Sequence, residues 1–298
     1  MASARPIRLC SLVAVALFVT TPLGGCAEGL FHPAGPVASA ELSILYDSLG
    51  IMLAIIVPTI AATLAFAWWY RATHKSAKYL PDFQYSGRIE MVVWSIPAMT
   101  ILLLGGIGWI GSHDLDPYKP IGGAAKPLRI QVVSLDWKWL FILPDLGIAG
   151  VNRVVVPVGT PLSLQLTASG VMNAFLVAQL GSQIAVMPHM ETRLHLEADR
   201  PGIYTGYSTN FSGDGFAAMA FTIEALAPDK FAQAVAAIRG RGPTLDAASY
   251  AELAKPSQAV APYTYGAVSP GLFDAILRPQ TPPAGPTHAE RTGAPKEE

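Results

Sequence analysis

Two long stretches without a charged residue limit what this chain can fold into. They cover residues 48–70 and 91–112, and each has the roughly 20 residues that an apolar helix needs to cross the hydrocarbon of a bilayer. Pro58 and Pro97 lie inside them, which is tolerated when neighbouring groups satisfy the freed carbonyls. The pattern predicts two transmembrane helices with these bounds. A composition of 51% hydrophobic and 14% charged residues agrees with membrane spans rather than with one large soluble core.

Charges on either side of the first stretch predict the topology. The connecting loop 71–90 carries four basic residues, whereas the segment 26–47 has acidic residues but no Lys or Arg. The excess of positive charge marks the cytoplasmic side. Segment 26–47 and everything after residue 112 are therefore expected on the external, periplasmic face of a bacterial inner membrane. The net charge of −1 gives no indication of nucleic-acid binding.

The N-terminus predicts a lipoprotein signal peptide at residues 1–25. Arg5 and Arg8 precede an apolar run at residues 9–19, which matches a secretory signal and is too short for a stable span. Leu23-Gly24-Gly25-Cys26 resembles a lipobox, so we expect Cys26 to carry diacylglycerol and palmitate. The simpler alternative is an ordinary signal peptide with a chance cysteine. In either case no cysteine follows residue 26.

Residues 126–227 predict an external all-β domain. Leu162, Leu164 and Leu166 alternate with polar residues, as in strands with one buried face. Short strands of this kind, separated by Gly and Pro turns, favour an antiparallel sandwich or Greek-key barrel. Within it, residues 201–225 read as a hairpin whose Gly-rich loop spans residues 212–215.

The external domain lacks an obvious set of metal ligands. A soft copper site needs thiolates, imidazoles and a thioether, and the loop of the hairpin offers only Met219. Met187, His189, Met190 and His195 cluster in the sequence, but we interpret them as structural, because transition-metal sites need three or four convergent ligands. No nucleophile and base stand at motif spacing.

Two further features allow alternative interpretations. Trp137 and Trp139 are placed on one side of a strand, where they could pack the core or serve in docking and electron transfer. Glu90, at the cytoplasmic end of the second span, could be an interfacial carboxylate near Arg88 or part of a proton path.

After residue 227 the pattern becomes helical. Phe231, Val235 and Ile238 share one helical face, and Thr244 is a plausible N-cap for a second helix through Leu253. A third short helix is expected to end near Leu277. We therefore predict a helical extension at 228–278 and, from the Pro-, Gly- and Ala-rich composition, a disordered tail at 279–298.

Several motifs together resemble subunit II of the haem-copper terminal oxidases, in the quinol-oxidising branch. The resemblance covers the chain from Cys26 to about Leu277. It rests on Tyr70-Arg71-Ala72, the loop segment His74 to Tyr79, Glu90-x-x-x-Trp94-x-x-Pro97, Val132 to Trp139 with its Asp136-Trp137-Lys138-Trp139, Leu180-Gly181-Ser182-Gln183 and Ser212-Gly213-x-Gly215-Phe216-x-x-Met219.

The resemblance implies a cupredoxin-like domain that has lost its copper centre. In the cytochrome c-oxidising relatives this domain holds two coppers with two Cys, two His, a Met and a Glu carbonyl. The matching positions in this chain are Asn173, Ser208, Asn210, Ser212, Phe216 and Met219. Only the Met is retained, so the resemblance implies that no metal or cofactor is bound by this chain and that cytochrome c is not its electron donor.

The resemblance also implies a role. The chain would be a non-catalytic subunit of a proton-pumping ubiquinol oxidase, with haems and copper in subunit I and with subunits III and IV and membrane lipid as further partners. It favours a proton-path role for Glu90 and, without copper, core packing for Trp137. The alternatives are a copper-containing subunit II of a cytochrome c oxidase and a free-standing membrane lipoprotein adaptor.

Overall fold

The computed structural model describes residues 29–74, 80–122 and 126–278. The predicted signal peptide 1–25, Cys26 and the predicted tail 279–298 lie outside these ranges. The chain divides into two compact units, which are residues 1–119 with 178–182, and residues 120–177 with 183–298.

The first unit contains two long apolar helices, α1 (Pro36–Trp69) and α2 (Gly87–Asp114). Both are long and apolar enough to cross a membrane. They contain the predicted stretches 48–70, except for its last residue, and 91–112. Gly111 permits close approach, because a Cβ there would lie 2.6 Å from Cδ1 of Ile44 on α1.

Helix α1 begins well before the predicted span. Pro36 occupies the first turn, where its fixed φ favours helix and its missing N–H costs nothing. Residues 37–49 contain neither Gly nor Pro. The helix therefore includes much of the predicted N-terminal segment 26–47, and its 34 residues exceed what the hydrocarbon requires.

The second unit is a β-sandwich with two main sheets. One has the strand order β12-β3-β2-β1-β5-β8, and the other has the order β4-β10-β9-β6-β7. The strands are β1 (Leu128–Leu135), β2 (Lys138–Leu143), β3 (Ile148–Val151), β4 (Arg153–Pro157), β5 (Leu162–Ala168), β6 (Asn173–Val177), β7 (Gly181–Val186), β8 (Thr192–Leu196), β9 (Gly202–Ser208), β10 (Ala220–Leu226), β11 (Thr244–Leu245), β12 (Tyr263–Tyr265) and β13 (Ala267–Val268).

The predicted hairpin is confirmed, and the predicted strand directions need one correction. Strands β9 and β10 pair antiparallel across the loop. However, β1 pairs with β5 and β4 pairs with β10 in parallel, so the two main sheets are mixed rather than antiparallel. The alternation of buried and polar residues reports which face is covered but not the direction of the neighbouring strand.

Aromatic rings fill the space between the two sheets. Trp139 and Phe141 of β2 meet Phe175 of β6 and Phe221 of β10, with Trp139 and Phe175 ring centres 5.4 Å apart and Phe175 and Phe221 centres 4.7 Å apart. All four side chains are buried. Edge-to-face and offset contacts of this kind add to the hydrophobic gain of burial.

A second core lies on the outer face of the six-stranded sheet. Residues after 227 form α3 (Pro228–Ile238), α4 (Ala247–Leu253) and α5 (Leu272–Leu277). Side chains of α4, α5 and β12 join those of β1, β2 and β3 in one buried cluster that includes Val133, Leu140, Leu253, Tyr265 and Phe273. This explains why all six residues of β2 are buried, since both faces of that strand are covered.

The N-cap of the second short helix differs from the prediction. Thr244 lies in β11, which pairs with β13. The cap is Asp246, whose carboxylate accepts from the backbone N–H of Ser249 while the Ser249 hydroxyl accepts from the backbone of Asp246. This reciprocal capping box satisfies two donors of the first turn, so Asp246 is favoured over Thr244.

Candidate functional site

Three of the residues at one end of the sandwich form a buried hydrogen-bonded network. Asn173 begins β6, Ser208 ends β9, and Ser134 lies near the end of β1. The Asn173 amide donates to Ser134 Oγ at 2.8 Å, and the Ser208 hydroxyl donates to Asn173 Oδ1 at 2.8 Å. The three residues are 1–7% exposed. Asn173 and Ser208, two of the positions predicted to match copper ligands, therefore bind each other through neutral polar groups.

The loop between β9 and β10 places the remaining matched positions. Asn210 donates its amide to the carbonyl of Met172 at 3.0 Å, and the half-buried ring of Phe216 packs edge-on against Phe211 with 5.6 Å between centres. Met219 is 2% exposed. The Ser212 hydroxyl is buried and has no hydrogen-bond partner among the described residues.

Trp137 contacts the loop between β9 and β10, and the position of Trp137 differs from the prediction. Trp137 and Trp139 do not share a strand, because Asp136 and Trp137 form a two-residue turn between β1 and β2 in which Trp137 has φ 62°. Its indole N–H donates to the carbonyl of Ser212 at 3.0 Å. A Cβ at Gly215 would lie 2.4 Å from Trp137 Cγ, so glycine is required there for the ring to fit.

The donor atoms at this end of the sandwich do not suit a soft copper ion. Hydroxyl and carboxamide groups are hard, neutral donors, whereas a dinuclear copper centre needs thiolate bridges. Within residues 29–74, 80–122 and 126–278, no group of three or more His, Cys, Asp or Glu side chains could hold a metal ion. His189 lies in an exposed turn with φ 60°, and Nε2 of His195 lies 3.4 Å from Ser163 Oγ on the neighbouring strand.

Glu90 lies in the first turn of α2 and is exposed. Its backbone N–H donates to the carbonyl of Ser86 at 3.0 Å. A carboxylate at a helix N-terminus interacts favourably with the helix dipole. No ion pair between Glu90 and Arg88 forms among the residues that the structure describes.

The structure also reveals two buried polar residues that the sequence reasoning missed. Lys138 is 1% exposed and Asn152 is 5% exposed. Asn152 accepts the Trp139 backbone N–H through Oδ1 and donates to the Val260 carbonyl, both at 2.8 Å. The burial of Lys138 could have been suspected from the sequence, because this lysine directly precedes five apolar residues in β2. Nothing in the sequence indicated that Asn152 is buried.

Two family models and several known proteins match the sequence of this chain. The family described as "Cytochrome C oxidase subunit II, periplasmic domain" matches residues 147–226, and the one described as "COX Aromatic Rich Motif" matches residues 239–283. Cytochrome bo(3) ubiquinol oxidase subunit 2 of Pseudomonas aeruginosa is 45% identical over 275 residues, covering 91% of this chain and 83% of the relative. Ubiquinol oxidase subunit 2 of Acetobacter aceti is 43% identical over 257 residues, covering 86% and 83%.

Solved structures give a weaker similarity. The periplasmic domain of subunit II of cytochrome oxidase from Bradyrhizobium japonicum aligns with 39% of this chain and 96% of that chain, at 23% identity and a TM-score of 0.37. At this score the alignment carries no structural argument.

Proposed function

This chain belongs to the subunit II family of the haem-copper oxidases, in its ubiquinol oxidase branch, and from that premise we propose that it is the copper-free, non-catalytic subunit of a proton-pumping ubiquinol oxidase. Ubiquinol is oxidised, and oxygen is reduced to water, at a separate subunit I that carries the haems and the copper. Subunits III and IV complete the complex. The two helices anchor this chain in the inner membrane beside subunit I, and the β-domain lies in the periplasm.

One observation supports the proposal that this chain has no copper centre. Both positions that match the copper-binding cysteines are serines, Ser208 and Ser212, and Asn173 replaces a histidine in a closed hydrogen-bonded network. A serine hydroxyl does not ionise near neutral pH and does not bridge two soft metal ions as a thiolate does. Without that centre the chain offers no route for electrons from cytochrome c.

Two finer features belong to the same proposal. Cys26 is the acylated first residue of the mature protein, which makes the chain a multi-pass lipoprotein. Its position behind an apolar run and a Leu-Gly-Gly sequence supports this. Glu90 lies at the mouth of a proton path into subunit I, which is supported by its exposed position at the start of a membrane-spanning helix.

Purification of the tagged chain from native membranes in mild detergent tests this proposal. We expect co-purifying haem protein that oxidises ubiquinol but not reduced cytochrome c. After separation of the subunits, copper should remain with subunit I. Stoichiometric copper on the separated chain would contradict the proposal in favour of a cytochrome c oxidase subunit. Recovery of this chain alone, without haem, would instead indicate a free-standing lipoprotein.

A further inference from the structure

Lys138 is a buried cation that has no carboxylate partner in the part of the chain that the structure describes. It is the first residue of β2, and strand alternation places its side chain opposite that of Trp139, on the face covered by the C-terminal extension. Its ammonium donates to the carbonyl of Lys255 at 2.7 Å and to Ser257 Oγ at 2.5 Å. Among the described residues, no Asp or Glu oxygen lies within the 4.0 Å of an ion pair with it.

The surroundings of this ammonium compensate its charge only in part. A buried charge is costly unless it is paired as well as hydrogen-bonded, and a carbonyl and a hydroxyl supply dipoles rather than a negative charge. Burial lowers the pKa of Lys138, while the more distant Asp136 acts in the opposite direction. The ammonium therefore has two hydrogen-bond acceptors but no anionic partner within ion-pair distance among the described residues.

An open cavity of about 600 Å³ has Lys138 in its lining. Its polar lining includes Lys138, Ser257 and the tyrosines Tyr263 and Tyr265, whose hydroxyls lie 3.4 Å apart. Burial raises the pKa of Tyr265, so its hydroxyl stays protonated and can donate. Ligand sites in proteins commonly have volumes of about 300–1,000 Å³ with a few convergent polar groups.

The other charges at the cavity leave an excess of positive charge. Glu252 and Lys255 also line it and form an ion pair with each other. Lys138 is then the one remaining charged group of the lining that the structure describes. The rest of the wall is apolar and includes Leu253, Pro256 and Val260.

We propose that this cavity is a binding site for a small oxyanion, a phosphate or carboxylate group, which accepts hydrogen bonds from the Lys138 ammonium and from a tyrosine hydroxyl. A hydrogen bond to a charged donor inside a protein is about twice as strong as a neutral one. The bound anion would fix the segment 254–262 against the sheet through Lys138. This inference does not depend on the proposed oxidase function, because it uses only residues of the second unit.

Equilibrium dialysis of the purified full-length chain in detergent against radiolabelled inorganic phosphate tests the site, with acetate as a competing carboxylate. We expect about one phosphate per chain, displaced by acetate. Lys138→Met should weaken binding about tenfold or more, since a hydrogen bond to a charged group contributes about 1.5–3 kcal/mol. Lys230→Met is the matched control, because Lys230 is an exposed lysine on α3 and the same charge change there should leave binding unaffected.

A second variant keeps the test decisive if Lys138→Met fails to fold. Tyr265→Phe retains the buried ring and removes only the hydroxyl, and it should weaken binding several-fold. Absence of saturable binding to the wild-type chain would overturn the proposal, as would equal binding by wild type and by a folded Lys138→Met or Tyr265→Phe chain.

Repeating the dialysis in nanodiscs with and without phosphatidylglycerol identifies the source of the bound anion. Loss of phosphate binding with phosphatidylglycerol supports a lipid headgroup as occupant, and unchanged binding supports the free anion.

Discussion

Ser208 and Ser212 are the two positions predicted, from the resemblance, to match the copper-binding cysteines of cytochrome c-oxidising subunits, yet their surroundings differ. Ser208 donates to Asn173 within a buried network, whereas the buried hydroxyl of Ser212 has no partner among the described residues. An unsatisfied buried hydroxyl costs free energy, while a satisfied one is close to neutral or stabilising. Hydrogen bonding among the described residues therefore satisfies the buried hydroxyl at the first of these two positions and not at the second.

This difference predicts opposite effects for the same substitution. Ser208→Ala removes the donor to Asn173 Oδ1 and leaves that buried oxygen unpaired, which should lower the free energy of unfolding by about 1–3 kcal/mol. Ser212→Ala removes a group that has already lost its hydrogen bonds to water, so it should be neutral or slightly stabilising. Urea unfolding of the β-domain in the full-length chain, followed by tryptophan fluorescence, measures both. Equal losses in the two variants would show that the network adds nothing.

Glu90 carries the second residue-scale prediction. If its carboxylate passes protons to subunit I, Glu90→Ala should slow ubiquinol oxidation roughly tenfold or more, with normal assembly and haem content. Asp82→Ala is the matched control, since Asp82 is an exposed carboxylate in the same loop 71–90 and should leave turnover unchanged. Oxygen consumption by the purified complex gives the result. Wild-type turnover in Glu90→Ala would return this residue to a purely interfacial role.

At the scale of single elements, the sequence predicted those strands and turns that have a local signal, such as residue alternation or a glycine-rich loop. The hairpin of β9 and β10 was predicted because two apolar runs flank a Gly-rich loop. The turn at Asp136 and Trp137 was missed because neither position is glycine, although two-residue hairpin turns usually require it where φ is positive. The parallel pairing of β1 with β5 joins segments that are distant along the chain, and periodicity contains no information about that choice.

The contact between the turn and the loop gives an element-scale prediction. Gly215→Ala places a methyl group against the Trp137 ring, so the ring must move and its hydrogen bond to Ser212 is lost. We expect a destabilisation of about 1–3 kcal/mol. In a Trp137→Ala background the same change should cost much less, because the obstructing ring is gone, and a double-mutant cycle measures the difference. Additive effects would mean that ring and loop are not coupled.

For the whole molecule, the C-terminal extension is a structural part of the β-domain. The sequence predicted a domain ending at residue 227 and a separate extension at 228–278, because the pattern changes from strands to helices there. Periodicity did not show that the extension covers the outer face of the six-stranded sheet. It also could not show that Lys138 and Asn152 donate to backbone carbonyls of the extension, since those contacts are long-range.

A chain that ends at Ala227 should therefore lose its folded β-domain while its two helices still insert. Truncation uncovers Val133, Leu135, Leu140 and Ile142, which are now 0–2% exposed. At about 1.5–3 kcal/mol per buried side chain, the loss is on the order of 10 kcal/mol, which is comparable to the whole stability of a typical domain. Limited proteolysis of membranes containing the chain should show rapid digestion of residues 126–227. A chain ending at Arg278 retains all of these contacts and should resist protease like the full-length protein. If the chain ending at Ala227 were equally resistant, the sandwich would be stable without its outer layer and the second core would be dispensable.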